Sequence, residues 1–258
     1  MFEKIINLET PGGPMETFIV HPEGAGPFPA VVVYMDIWGV REELFDLARR
    51  IAVVGYYCLV PDLYHRQGRV RNAFRDAHGR MISVAMLDEI QKETVRAPLR
   101  FLTDDMVLED TEALLGFLDR QTEVRSGSMG CVGYCMGGRF VFRAAGRYPN
   151  RFKASASLHG SDLVTEQADS PHLTARAAQG ELYCGFAERD RFATPPVMAA
   201  VKAALSDTPL RYHAELHRGA DHGYALPDRD VHDKNAFNRD WEIIFAMLHR
   251  QVPPYTAT

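Results

Sequence analysis

Cysteine is scarce. Four residues, Cys58, Cys131, Cys135 and Cys184, are scattered over 258 positions without a C-x-x-C pair. That leaves neither a disulfide framework nor a cysteine-built zinc site. Long apolar runs are missing too: no stretch approaches the ~18 residues that a membrane helix requires, and Met1 to Pro14 lacks the basic-then-apolar pattern of a secretion signal. A soluble, cytoplasmic protein with no membrane partner is expected. Basic blocks are absent as well. The 29 Lys and Arg are interleaved with 34 Asp and Glu, giving a formal charge of −5, which argues against a nucleic-acid partner. Neither an internal repeat nor a low-complexity segment is found.

What is present is an apolar fraction of 46% against 24% charged residues, enough to bury the core of one large α/β domain or two small ones. One domain spanning residues 1–258 is the working expectation. Short β-branched runs alternate with longer helical patterns. Strands are predicted at Ala30–Tyr34, Tyr56–Val60, Gly130–Tyr134, Ala154–Leu158, Leu182–Phe186 and Arg211–Leu216. Helices are predicted at Glu42–Val54, Asp104–Arg120, Gly137–Tyr148, Pro196–Leu205 and Asn235–His249. Such alternation implies a mainly parallel central sheet with helices on both faces. Arg66 to Leu102 fits it least well and is read as a helical insertion or a lid.

The strongest local signal is Gly133-Tyr134-Cys135-Met136-Gly137-Gly138, at the end of one apolar run and the start of a helical segment. It has the form of a nucleophile elbow with Cys in the usual place of Ser. Glycines two positions either side of the nucleophile relieve collisions in so sharp a turn, and a helix N-terminus favours the ionised thiol. The competing reading is a small core residue beside a Gly-rich turn of the kind dinucleotide-binding folds use. A base would tip the balance. His222, in Gly219-Ala220-Asp221-His222-Gly223, lies in a small-residue loop after the last predicted strand, where such a fold places its active site. Asp190, in Glu188-Arg189-Asp190-Arg191-Phe192, follows the preceding strand and would orient the imidazole. Taken singly, each is equally a surface turn residue; together the order nucleophile, acid, histidine is that of α/β-hydrolases. Ser128 lacks the preceding glycine of a rival elbow, Cys131 reads as a buried core thiol, and His159 as a hydrogen-bonded structural residue.

Taken in order, these residues resemble the dienelactone hydrolase family, the carboxymethylenebutenolidases. The resemblance runs from about Ala30 to Leu248, through Met35-Asp36-Ile37-Trp38-Gly39-Val40, Gly55-Tyr56, Pro61-Asp62-Leu63-Tyr64, the elbow, Asp190-Arg191-Phe192 and His222-Gly223-Tyr224-Ala225. It implies an α/β-hydrolase fold and a Cys135, His222, Asp190 triad, with an oxyanion hole formed by the backbone N–H groups of Ile37 and Met136. A small-molecule ester or lactone would be cleaved through a thioester, without metal or organic cofactor. Where the founding enzymes have a Glu that contacts the resting thiol, this chain has Asp36. They also hold the substrate's carboxylate with arginines. The matching position here is Leu226, with Arg229 nearby, and Arg96 or Arg100 are candidates within the insertion; each arginine is otherwise a solvated surface charge. Tyr34, Trp38 and Tyr64 either line the pocket or pack between sheet and helices. The rival functions are an acyltransferase or thioesterase using the same Cys, and a non-catalytic ligand-binding relative. The oligomeric state is not encoded in any of these features.

Overall fold

The computed structural model describes residues 1–256. Its strands are β1 (Phe2–Thr10), β2 (Gly13–His21), β3 (Ala30–Tyr34), β4 (Tyr57–Pro61), β5 (Met129–Tyr134), β6 (Phe152–Leu158), β7 (Glu181–Arg189) and β8 (Arg211–Asp221). They form one sheet in the order β1-β2-β4-β3-β5-β6-β7-β8. The six strands from β3 to β8 pair in parallel, and β1 and β2 add an antiparallel hairpin at one edge. β3, β4 and β5 are buried throughout, which is why they read as continuous apolar runs rather than as alternating strands.

The helices are α1 (Glu42–Ala52), α2 (Glu89–Phe101), α3 (Asp104–Leu118), α4 (Met136–Arg147), a single turn α5 (Pro171–Thr174), α6 (Pro195–Ser206) and α7 (Lys234–Gln251). Two glycines of β5 show that both faces are covered. A Cβ at Gly130 would meet Leu248 of α7, and a Cβ at Gly133 would meet Val141 of α4. Residues 130 and 133 point to opposite faces of a strand, so α7 and α4 pack on opposite sides. Arg50 of α1 lies over the Phe237 and Trp241 rings of α7, which puts α1 on the α7 side. The alternating pattern implied such a parallel sheet covered on both faces, the predicted elements recur with ends shifted by a few residues, and the arrangement is the α/β-hydrolase fold that the resemblance implied.

The hairpin β1–β2 was not foreseen. Its first strand mixes Glu3, Lys4 and Glu9 with Phe2, Ile5 and Leu8 without clean alternation, and as an edge strand it leaves Phe2 and Ile5 exposed. The segment 66–102 contains α2 and a short 3-10 turn, Val84–Met86, with irregular chain between. Met81, Leu87 and Val95 pack with Trp38 into a small apolar cluster separate from the main core.

Candidate active site

The candidate triad and the Asp36–Ile37 turn lie just past the carboxyl ends of strands. Strand order turns in opposite directions on the two sides of the β3–β5 pair, and the crevice above such a switch point is where open α/β sheets bind ligands. Ile37 follows β3 and Cys135 follows β5; Asp190 and His222 are the residues immediately after β7 and β8.

Cys135 occupies the cap position of α4 with φ 55° and ψ −115°, a conformation that costs a non-glycine residue roughly 1–3 kcal/mol and persists only where its surroundings over-determine it. Here they do. Its N–H donates to Leu158 O at 3.1 Å, and its carbonyl accepts from Gly138 N and Ser161 N, each at 3.0 Å. The two flanking glycines are sterically required. A Cβ at Gly133 would strike the carbonyl of Gly137, and one at Gly137 the carbonyls of Tyr34 and Met35. Cys135 is also the one cysteine that is not fully buried.

His222 Nδ1 lies 2.7 Å from Asp190 Oδ2. A carboxylate only accepts, so Nδ1 carries the proton and Nε2 is left for another partner. The other Asp190 oxygen accepts the Phe192 N–H at 2.8 Å. Nε2 is buried and makes no hydrogen bond of good geometry, yet Cys135 is close enough to govern its charge. Burial works against an imidazolium. The attraction of Cys135, the hydrogen bond to Asp190 and the further pull of both groups outweigh it and push His222 up to about 10. The ring is held between Phe192 (5.2 Å) and His159 (5.0 Å, at 71°).

Neither candidate oxyanion donor has a hydrogen-bond partner among the described residues. Met136 opens α4, so its N–H has no intrahelical acceptor, and the Ile37 N–H makes no hydrogen bond among the described residues. Tyr64 braces both, donating to Ile37 O at 3.1 Å and approaching Met136 Sδ at 3.5 Å. Tyr34 belongs to the core, its hydroxyl paired with Thr111 Oγ1 at 2.9 Å. Leu226 is fully buried. Trp38 is buried at the junction with the insertion, and its indole N–H has no partner.

Asp36 forms no hydrogen bond with Cys135. It is fully buried and its carboxylate is engaged by Arg41 and by the Trp38 N–H. Arg229 is not the solvated charge that arginines usually are. It is 5% exposed, its Nε is unpartnered, its guanidinium lies 5.3 Å from the Trp38 ring and packs against Gly223, and it has no ion-pair partner among the described residues. Arg100 is a surface residue paired with Glu93, and Arg96 makes no ion pair among the described residues. His159 is buried with both ring nitrogens unpartnered, so the hydrogen-bonded role expected of it is not found. Arg41 and Asp228 went unnoticed in the sequence because nothing local announces a contact between residues 187 positions apart.

Comparison with known proteins agrees with this architecture. A Synechocystis protein assigned as a carboxymethylenebutenolidase is 24% identical over 238 residues, covering 91% of each chain. A Bradyrhizobium protein assigned as a 2-oxo-3-(5-oxofuran-2-ylidene)propanoate lactonase is 22% identical over 250 residues, covering 95% of this chain and 93% of its own. A Klebsiella pneumoniae crystal structure assigned as a dienelactone hydrolase superposes with a TM-score of 0.81 at 22% identity, over 96% of this chain and 98% of that one, and shows the same fold. The model of the dienelactone hydrolase family matches residues 15–252, and the chain therefore belongs to that family of hydrolases.

Proposed function

We propose that the chain hydrolyses a carboxylic ester or lactone with Cys135 as nucleophile, His222 as acid and base, and Asp190 as the residue that orients His222. The observation that carries this reading is the 2.7 Å pairing of His222 Nδ1 with Asp190, beside a cysteine held at φ 55° on a helix N-terminus. The Cys135 thiolate adds to the substrate carbonyl and forms a C–S bond. The resulting oxyanion is stabilised by the Ile37 and Met136 N–H groups, the kind of preorganised donor pair that contributes most to acyl transfer. Collapse breaks the C–O bond, and the leaving alkoxide or enolate takes the proton from His222 Nε2. Water then attacks the thioester, giving a proton to His222 and releasing the carboxylic acid and the Cys135 thiolate.

Arg229 supports an anionic substrate. A buried guanidinium without a carboxylate partner, beside Gly223 and Trp38, is a ready counter-ion for a substrate carboxylate. The name of the Bradyrhizobium relative describes such a molecule, a lactone carrying a propanoate. The insertion 66–102 supports a cover over the same crevice. Met81 exchanges backbone hydrogen bonds with Asp228 and Asp230, and Ser83 binds the Asp230 carboxylate through N and Oγ, both at 2.7 Å.

The test is hydrolysis of 4-nitrophenyl acetate and of a carboxylate-bearing unsaturated lactone by wild type, Cys135→Ala and His222→Ala. Loss of turnover in both variants upholds the reading, and Arg229→Met should raise KM for the anionic lactone but not for the neutral ester. Equal background rates in all three proteins would leave a non-catalytic binding protein in its place.

A further inference from the structure

One guanidinium joins the two loops that carry the proposed chemistry. Arg41, at the cap position of α1, donates from Nη1 and Nη2 to the two oxygens of Asp36 at 2.7 and 3.1 Å. It also donates from Nε and Nη2 to the two oxygens of Asp228 at 2.6 and 3.1 Å. Asp36 immediately precedes Ile37, and its Oδ1 also accepts the Trp38 N–H at 3.1 Å, so its carboxylate bridges the turn that presents the Ile37 amide. Asp228 lies on the segment that returns from His222, and its carbonyl accepts the Met81 N–H at 2.7 Å. The Arg41 and Asp36 side chains are 10% and 0% exposed.

Two buried carboxylates facing one another repel unless a cation sits between them. A planar guanidinium serves both with paired N–H bonds in fixed directions, whereas an ammonium offers a single point charge. We propose that Arg41 is a positioning residue for this hydrolase: through Asp36 it holds the Ile37 N–H at the oxyanion position, and through Asp228 it ties that turn to the His222 loop and to the insertion. The proposal rests on the reading of Ile37 as an oxyanion donor given above. It assigns Asp36 to the oxyanion turn rather than to the thiol.

The experiment compares wild type, Arg41→Lys and Asp228→Asn by three measurements: kcat and KM for 4-nitrophenyl acetate, the rate of Cys135 alkylation by iodoacetamide, and thermal unfolding to establish that each variant is folded. Arg41→Lys is expected to lower kcat about 10- to 100-fold, short of the roughly 100- to 1000-fold that removing one oxyanion donor costs, because the Ile37 N–H is displaced rather than lost, with KM changed by less than about threefold. Alkylation should stay within about twofold of wild type, because the His222–Asp190 pair that faces the thiol is untouched. Asp228→Asn keeps the Asp36 contact, and a smaller fall in kcat with the same pattern is expected; it decides the matter if Arg41→Lys does not fold. Unchanged kcat overturns the proposal. So does alkylation that slows in step with kcat, which would place Arg41 behind the thiol, or a raised KM at constant kcat, which would place it against the substrate. Wild type without Cys135-dependent turnover removes the hydrolase reading and this proposal together, whereas normal turnover that Arg41→Lys leaves intact removes this proposal alone.

Discussion

Burial separates Cys135 from the other thiols. Cys58, Cys131 and Cys184 lie fully inside the core, where desolvation pushes each thiol up, Cys131 to about 12. A buried neutral thiol does not attack an electrophile, so brief iodoacetamide treatment of the native protein should label Cys135 alone, as mass spectrometry of the digest would reveal. The same residue sets the charge of its neighbour. Among the influences that raise His222 against the effect of burial, the attraction of Cys135 is the largest. The His222 imidazole should therefore titrate well below 10 in Cys135→Ala, followed by NMR of the ring protons, and an unaltered titration would mean that Asp190 acts alone. At this scale the sequence marked Cys135 clearly, because it closes a fully buried apolar strand; Asp190 and His222 were legible only through their order after it and the short motifs around them, since β8 is polar and largely exposed and carries no apolar run to mark its end. Arg229 and Arg41 stayed hidden. An arginine's environment is set by chain segments distant in sequence, and neither residue stands in a motif.

The elbow is the element on which the site depends, and its tolerance is set by backbone rather than side chains. At Gly137 an added methyl would meet two carbonyl oxygens of the segment leading from β3 into the Asp36–Ile37 turn. Neither can rotate away as a side chain would. Gly137→Ala should cost roughly 1–3 kcal/mol from overpacking, seen as a lower urea midpoint, and should also lower kcat, since the displaced carbonyls belong to Tyr34 and Met35, just before Asp36 and Ile37. Stability lost without loss of kcat would show that the Asp36–Ile37 turn moves independently of the elbow. Elements away from the site were legible to the extent that they were simple. The fully buried parallel strands and the strongly amphipathic α1 were read almost to the residue. Helix α2 was not, although Asp88 and Gln91 form a capping box at its start, because Pro98 interrupts the pattern and only Val95 and Pro98 of the helix are buried. The hairpin β1–β2 escaped for a related reason: with one edge unpaired, β1 is not obliged to alternate cleanly.

Over the whole molecule, groups shifted up and groups shifted down bias stability against pH in opposite directions. Glu181 is lowered to about 2 by its hydrogen bond to Arg250, against the effect of burial, and His159 is pushed well below 6.5 by burial, with the charges of His222 and Arg229 adding to it. Groups with depressed pKa values contribute fully above their unfolded values and lose that contribution as pH falls. For Glu181 the window runs from 4.5 down to about 2, and for His159 it lies below 6.5. Glu43 is raised from 4.5 to about 7, by burial and then by the charge of Asp228, and His222 from 6.5 to about 10. Their contributions are complete below the unfolded values and are lost as pH rises, Glu43 before neutrality and His222 on the alkaline side. Between pH 7 and 8, below the ordinary value of 9.0 at which the three buried thiols begin to contribute, the slope of stability against pH comes from His222, and since Cys135 is the largest attraction holding its proton, Cys135→Ala should flatten it. Urea midpoints measured from pH 7 to 8 for wild type and variant test this, and parallel curves would mean that Cys135 does not hold the His222 proton. On the acid side, His159→Phe keeps a ring against His222 but removes two desolvated nitrogens that the folded state leaves unpartnered. Its midpoint should exceed that of wild type by a margin that widens below pH 6.5, because only the unfolded wild type takes up the histidine proton. A constant margin would instead assign the gain to packing.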